Sequence, residues 1–324
     1  MTSAHLASAA PPVNDAVPTD TGRKAPADTR SYERQRQAFA RQALAPSLVF
    51  LVLVAGAPTL FLLLTSLTPA TLINPGSLTD YADPLRNYRL LTEDARFLNS
   101  LAVQGRLTLY TVTLQVMLGL GLALLVHAAQ GRWQTLRNLF VIPMVLPPIV
   151  VAVIWKLVYT PDISPIYHAA KALGWALPAV TSHMDFALGA IVLADTWEWA
   201  PFTFLMVLAS LQNLPAEYVE AARMDGADAL AIFGHIVLPY IAPVLIICTL
   251  FRIIDSIKAF PLIFLLTGGG PGEVTEVTNY YAYLVGFNFG ELGYSSAITV
   301  VLLTATVLIS WAAMRLSQRA QVQE

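Results

Sequence analysis

The sequence predicts an all-helical membrane protein with six transmembrane helices, and two observations carry that prediction. Of its 324 residues, 56% are hydrophobic and 12% charged, against about 45 to 50% and about 25% in an ordinary soluble domain. The apolar residues are also gathered into runs near 20 residues long, about the length that crosses 30 Å of hydrocarbon at 1.5 Å per residue. A large soluble core would scatter them amphipathically instead. The net charge of −2 gives no sign of a nucleic-acid or polyanionic partner. Cys248, the single cysteine, lies inside an apolar run, which excludes an internal disulfide and a cysteine metal cluster.

Residues 1 to about 45 are rich in Ala, Pro, Thr, Gln and charge and lack an apolar core of signal-peptide length. They read as a mostly disordered tail, closed by the basic amphipathic piece RSYERQRQAFARQALAP. A transmembrane domain follows over 46–316. Its spans are Pro46–Leu67, Leu107–Ala128, Leu139–Val158, Phe186–Gln212, Tyr240–Thr267 and Ser295–Met314, and 317–324 is a short tail. Pro143, Pro147 and Pro148 are expected to kink the third span, freeing carbonyls that either bond to neighbours or line a pathway. NYRLLTEDARFLNSL, after the first span, looks like a short interfacial helix. In LTGGGPG the glycines and Pro271 end a helix in a tight turn. A phosphate-cradling loop would need Lys and then Ser or Thr after the glycines, and neither is there.

Orientation follows from the basic residues. With the N-terminus inside, the inner segments hold Arg23, Lys24, Arg30, Arg34, Arg36, Arg41, Arg132, Arg137, Arg223, Arg315 and Arg319, and the outer ones Arg86, Arg89, Arg96 and Lys171. Both termini are therefore expected in the cytoplasm, and so is the connection at 213–239. That connection reads like soluble protein. Pro215 and Glu217 suit a first helical turn, Gly226 suits a left-handed C-terminal cap, and Asp228 can cap a second short helix through Phe233. The expectation is a helix-turn-helix at the membrane surface.

Within it stand Glu220-Ala221-Ala222, Gly226, Ile236 and Leu238-Pro239. This spacing closely resembles the EAA loop of the permease subunits of binding-protein-dependent ABC importers. NYRLL, IPMVLPPIVVAVIWKLVY, ADTWEWAPFTFLMVLASLQNLPAEY, FRIIDSIKAFPLIFLLTGGGPG and FGELGYSSA look like the carbohydrate-type group of maltose and glycerol-3-phosphate importers. One departure is Pro261, where many such permeases are expected to carry Asp.

The resemblance implies the type I ABC importer permease fold, in a bacterial inner membrane, with 213–239 as the coupling element. It implies two ATP-binding subunits, a second homologous permease and an extracytoplasmic solute-binding protein. ATP belongs to the partner subunits, so no enzyme activity, cofactor, metal or nucleic-acid partner is expected of this chain. In this reading Ala221 and Ala222 let a partner approach the backbone and Glu220 offers it a carboxylate. The solute is a sugar or polyol, with a sugar phosphate or another non-carbohydrate solute as the alternative.

Charges inside the hydrocarbon usually face a cavity or a partner. Arg252, Asp255 and Lys258 fall three residues apart on the fifth span, so Asp255 can bridge both cations, either as an internal ion-pair ladder or along a pathway. Asp195, Trp197, Glu198 and Trp199 on the fourth span offer aromatic faces and carboxylates to a sugar, although Trp also anchors helices at interfaces. Two other classes fit less well. A secondary transporter normally shows internal repeats, which this sequence lacks, and its five histidines have none of the HExxH spacing of a metalloenzyme.

Overall fold

The computed structural model describes residues 29–129 and 134–321, and every regular element among them is helical. The chain divides into two units, Met1–Pro58 and Thr59–Glu324. In the first, α1 (Thr29–Leu51) runs into a π-helical turn at Val52–Gly56. Helix at 29–45 covers the basic amphipathic piece expected to close the tail. This stretch is built from Ala, Gln, Arg and Glu, all strong helix formers, and its first proline is Pro46. The rest of that tail, 1–28, and the last three residues, 322–324, lie outside the described residues.

After α2 (Ala57–Ser66) come α3 (Arg86–Glu93), α4 (Ala95–Ala128), α5 (Gln134–Val145), α6 (Pro148–Tyr159) and α7 (Pro165–Ala172). They are followed by α8 (Ala187–Gln212), α9 (Ala216–Met224), α10 (Ala229–Ile232), α11 (Leu238–Ile257), α12 (Pro261–Leu266), α13 (Thr278–Tyr283) and α14 (Leu292–Gln321). Among the described residues five helical runs are long and apolar enough to cross a membrane, and α5 with α6 makes a sixth if the bent pair counts as one span. The bend between that pair is 105°. It falls where Pro147 has left the helical region (φ −60°, ψ 138°) and Pro148 opens α6, so the predicted kink is a full break.

α4 and α8 form the centre of the second unit. Val103 and Leu107 pack with Ala190, Ile191 and Ala194, and Ala123 packs with Phe204, Val207, Leu208 and Leu211 further along, so the two helices run parallel. A Cβ on Gly119 would lie 2.6 Å from Thr203 Cβ and 2.8 Å from the Phe204 amide nitrogen. The glycine is what lets the two backbones come this close, a common device in membrane helix packing.

Several elements depart from the predicted limits. α4 begins twelve residues before its apolar run, because Phe97, Ser100, Val103 and Gln104 are buried by the rest of the fold. Arg96 makes a two-pronged contact with Glu276 (Nε to Oε1 2.8 Å, Nη2 to Oε2 2.7 Å), and Gln104 Nε2 donates to the Ser256 carbonyl at 3.0 Å. The expected interfacial helix stops at Glu93, where Asp94 caps α4 by accepting from the amides of Arg96 and Phe97. The fifth span ends at Ile257 rather than Thr267, with α12 as a separate helix opened by Pro261. α14 runs past the expected boundary at 316 to Gln321.

Candidate functional site

Two groups of residues stand out: the connection between α8 and α11, and a polar cluster buried between α4, α8 and α11. In the first, α9 starts directly after Pro215, with Glu217 in its first turn and Arg223 in its last, charges that match the helix dipole. It ends at Gly226, whose φ of +83° is the left-handed conformation a C-terminal glycine supplies. Asp228 Oδ1 then accepts from the Ala231 amide at 2.7 Å and caps α10. α10 does not stop at Phe233, however. It continues through a π-helical turn, Phe233–Val237, into α11, as one helical run over Ala229–Ile257. The arrangement is one free helix, a glycine corner and the prolonged end of a span.

Pro239 accounts for the wide turn. It has no amide hydrogen, and its ring clashes with the carbonyl four residues back, here His235. The Leu238 amide reaches the Phe233 carbonyl, five residues back, instead.

Glu220 and Ala221 are exposed, Ala222 and Ile236 are half-buried, and Leu238 and Pro239 are exposed at the head of α11. Tyr218, Met224 and Leu230 are also exposed, Met224 at 88% and Leu230 at 77%. Large apolar side chains standing outside the spans beside Glu217, Glu220 and Asp225 make a surface suited to a protein partner.

The second group gathers Gln115 of α4, Asp195, Glu198 and Trp199 of α8, and Arg252 and Asp255 of α11. Gln115, Glu198 and Arg252 are buried. Gln115 Nε2 donates to Asp195 Oδ2 at 2.7 Å, and its Oε1 accepts from Arg252 Nε at 2.8 Å. Arg252 Nη1 donates to Asp255 Oδ2 at 2.6 Å, Nη2 lies 3.6 Å from Asp195 Oδ2, and the guanidinium sits 4.4 Å over the Trp199 ring.

The predicted ladder of Arg252, Asp255 and Lys258 is thus only half present. Asp255 pairs with Arg252, whereas Lys258 is the C-terminal cap of α11 and makes no ion pair among the described residues. The helix ends there, and the second carboxylate comes from α8. The predicted aromatic cluster divides as well. Trp199 joins Arg252, whereas Trp197 points away and packs edge-on against Trp155 of α6, with centroids 5.9 Å apart. Residues two apart on a helix lie about 200° apart around it, so one face could not hold both.

Gln115 is the member that sequence reasoning missed. Its only signal was a single amide in the apolar run TVTLQVMLGLG, and a polar side chain at that depth usually hydrogen-bonds across helices. Among the described residues no three His, Cys, Asp or Glu side chains are placed to hold a metal ion.

Comparison with known proteins gives a family and a fold. The model of the family described as "Binding-protein-dependent transport system inner membrane component" matches residues 115–322. A probable ABC transporter permease protein of Sinorhizobium fredii is 35% identical over 265 residues, covering 82% of this chain and 85% of that protein. The trehalose/maltose transport system permease protein MalF of Thermococcus litoralis is 34% identical, covering 70% and 76%. The trehalose transport system permease protein SugA of Mycobacterium tuberculosis is 30% identical, covering 84% and 86%. Among solved structures, a chain of a bacterial ABC transporter that imports the acidic polysaccharide alginate superposes with a TM-score of 0.77 at 16% identity. The match covers 90% of this chain and 99% of that one, a likeness of fold alone.

Proposed function

This chain belongs to the family of binding-protein-dependent transport system inner membrane components, and from that premise we propose that it is one permease subunit of an ATP-driven importer of a sugar or polyol. The solute class is supported by relatives named for trehalose and maltose transport at 30 to 34% identity. In this reading a second permease completes the pathway, a solute-binding protein delivers the solute from outside, and ATP is bound and hydrolysed by two partner subunits. The chain then needs no nucleotide site or cofactor of its own.

The observation that carries the coupling role is the exposed α9, turned by its glycine corner onto α10, which continues without a break into α11. A push on α9 passes through one continuous helical run, Ala229–Ile257, to the level of Arg252 and Asp255. Closure of the ATP-binding subunits would press on the Glu220 side of α9, and α11 would rock with it, exposing the pathway alternately to each side. Asp195, Trp199, Arg252 and Asp255, with Glu198 behind them, form the wall we assign to the pathway. Trp197 turns toward α6, and Lys258 stands at the helix end.

The test is Glu220→Lys in the assembled importer, reconstituted with its binding protein. Transport-coupled ATP hydrolysis is expected to fall by about tenfold or more, because removing a docking contact at the centre of an interface typically costs about 2 kcal/mol or more. ATP hydrolysis and uptake equal to the unmodified importer would overturn the assignment of α9 as the coupling element.

A further inference from the structure

We propose that the cluster of Gln115, Asp195, Trp199, Arg252 and Asp255 is a charge filter that accepts uncharged polyhydroxy solutes and rejects anionic ones such as sugar phosphates. The proposal rests on the reading that the solute passes this α8 and α11 face. A buried arginine in a solute pathway would ordinarily suggest a receptor for phosphate or carboxylate. Here most of the guanidinium is already taken. Its Nε is bonded to Gln115 and its Nη1 to Asp255, and one π-face lies on Trp199. Its Nη2 lies 3.6 Å from Asp195 Oδ2 and makes no hydrogen bond, but it is buried with the rest of the side chain, which is only 2% exposed, so it is held away from a passing anion.

What the cluster does present is the Asp255 carboxylate, with its side chain 49% exposed, the edge of Asp195 at 14%, and the partly exposed Trp199. Carboxylate oxygens accept from hydroxyl donors, and the face of Trp199 that Arg252 does not cover is an apolar platform for a sugar ring. Glu198 stands behind them with Oε1 buried and unpartnered. Arg252 is a single cation set against the two carboxylates it contacts, Asp195 and Asp255, so the cluster carries one carboxylate in excess. A phosphate about 6 Å from an uncompensated carboxylate, at an effective dielectric near 20, is disfavoured by about a hundredfold in affinity.

Gln115 is fully buried and touches no solute, so it acts as a positioning residue. Its amide holds the Asp195 carboxylate and its carbonyl oxygen holds Arg252, which fixes both charges in the arrangement that leaves the acids outermost.

Equilibrium binding to the assembled membrane complex in lipid nanodiscs, without the solute-binding protein, tests the filter. Trehalose and maltose serve as neutral probes and trehalose 6-phosphate as the anion. The unmodified complex is expected to bind a neutral probe about a hundredfold more tightly than the phosphate. Asp255→Asn should narrow that ratio by about tenfold, and the Asp195→Asn, Asp255→Asn pair further. Gln115→Leu should narrow it too, whereas a merely structural role would weaken both probes together and leave the ratio unchanged. Equal affinity of the unmodified complex for phosphate and sugar would overturn the filter and leave the pathway reading standing. Undiminished sugar binding by Trp199→Ala, or no binding of any probe, would overturn the pathway reading and the filter with it. Asp255 is half exposed, so its single variant keeps the test open if the double variant does not assemble.

Discussion

At the residue scale, Asp94 shows how much one side chain holds. Its carboxylate accepts from two amides at the start of α4 and also from Tyr281 Oη at 2.7 Å and Tyr294 Oη at 2.6 Å, tying α4 to α13 and α14. Burial pushes its pKa up, but the hydrogen bonds from Tyr294, Tyr281 and the amides of Phe97 and Arg96 outweigh that and leave it below the ordinary carboxylate value. A depressed carboxylate contributes stability that is complete above its unfolded pKa, about 3.9, and is lost as pH falls through the folded value. Asp94→Asn keeps a capping oxygen but loses the charge-assisted bonds, so a loss of about 1 to 2 kcal/mol is expected at pH 7. Thermal unfolding of the solubilised complex should show that gap closing in acid, as pH falls below about 4, and a constant gap would refute the assignment. The capping role of Asp94 was open to sequence reasoning, because Asp before a helix is a common start signal. Its two tyrosine partners were not. They lie 187 and 200 residues away, and only the packing of α13 and α14 brings them to it. The pairing of Arg252 with Asp195 was hidden for the same reason.

At the element scale, the prolines and glycines were legible, and the lengths of the helices were not. Pro147 and Pro148 marked the break in the third span, and Gly226 marked the corner after α9. The early start of α4 depended instead on burial of Ser100 and Gln104, polar residues that hydropathy counts against a span. The π-turn Phe233–Val237 lies between these cases. It precedes Pro239 as a second π-turn, Val52–Gly56, precedes Pro58, each ending two residues short of the proline, whereas a third, Leu284–Asn288, has no proline after it. Such turns often sit at functional sites, and this one sets the angular phase between the coupling element and α11. Pro239→Ala restores an amide that can bond to the His235 carbonyl and tighten the turn to α, rotating everything before it by about 100° relative to α11. Uptake is therefore expected to fall while assembly is retained. Spin labels at positions 220 and 246 should report a shifted distance by pulsed electron resonance. An unchanged distance together with normal uptake would show that the proline does not hold the turn open.

At the scale of the whole molecule, the parallel run of α4 and α8 decides which connections share an end. α3, the Arg96 and Glu276 contact and the Gly268–Gly272 turn gather where α4 begins, and α9 lies where α8 ends. Two arginines at the first end are matched by acids, Arg89 by Asp83 and Arg96 by Glu273 and Glu276, while Arg86 has no ion pair among the described residues. Arg223, at the second, has no ion pair among the described residues. The positive-inside bias and the docking role proposed for α9 lead by separate routes to the same expectation, that the second end is cytoplasmic. One labelling experiment checks them together. Cys248 is buried, so Cys248→Ala gives a cysteine-free background for Ala172→Cys in α7 and Ala216→Cys in α9, both at exposed positions. In spheroplasts carrying the assembled importer, a membrane-impermeant maleimide is expected to label position 172 at once and position 216 only after permeabilisation. The reverse pattern would place α9 on the side away from ATP. No ATP-binding subunit could then reach Glu220, and the coupling proposal would fall whatever the outcome at the buried cluster.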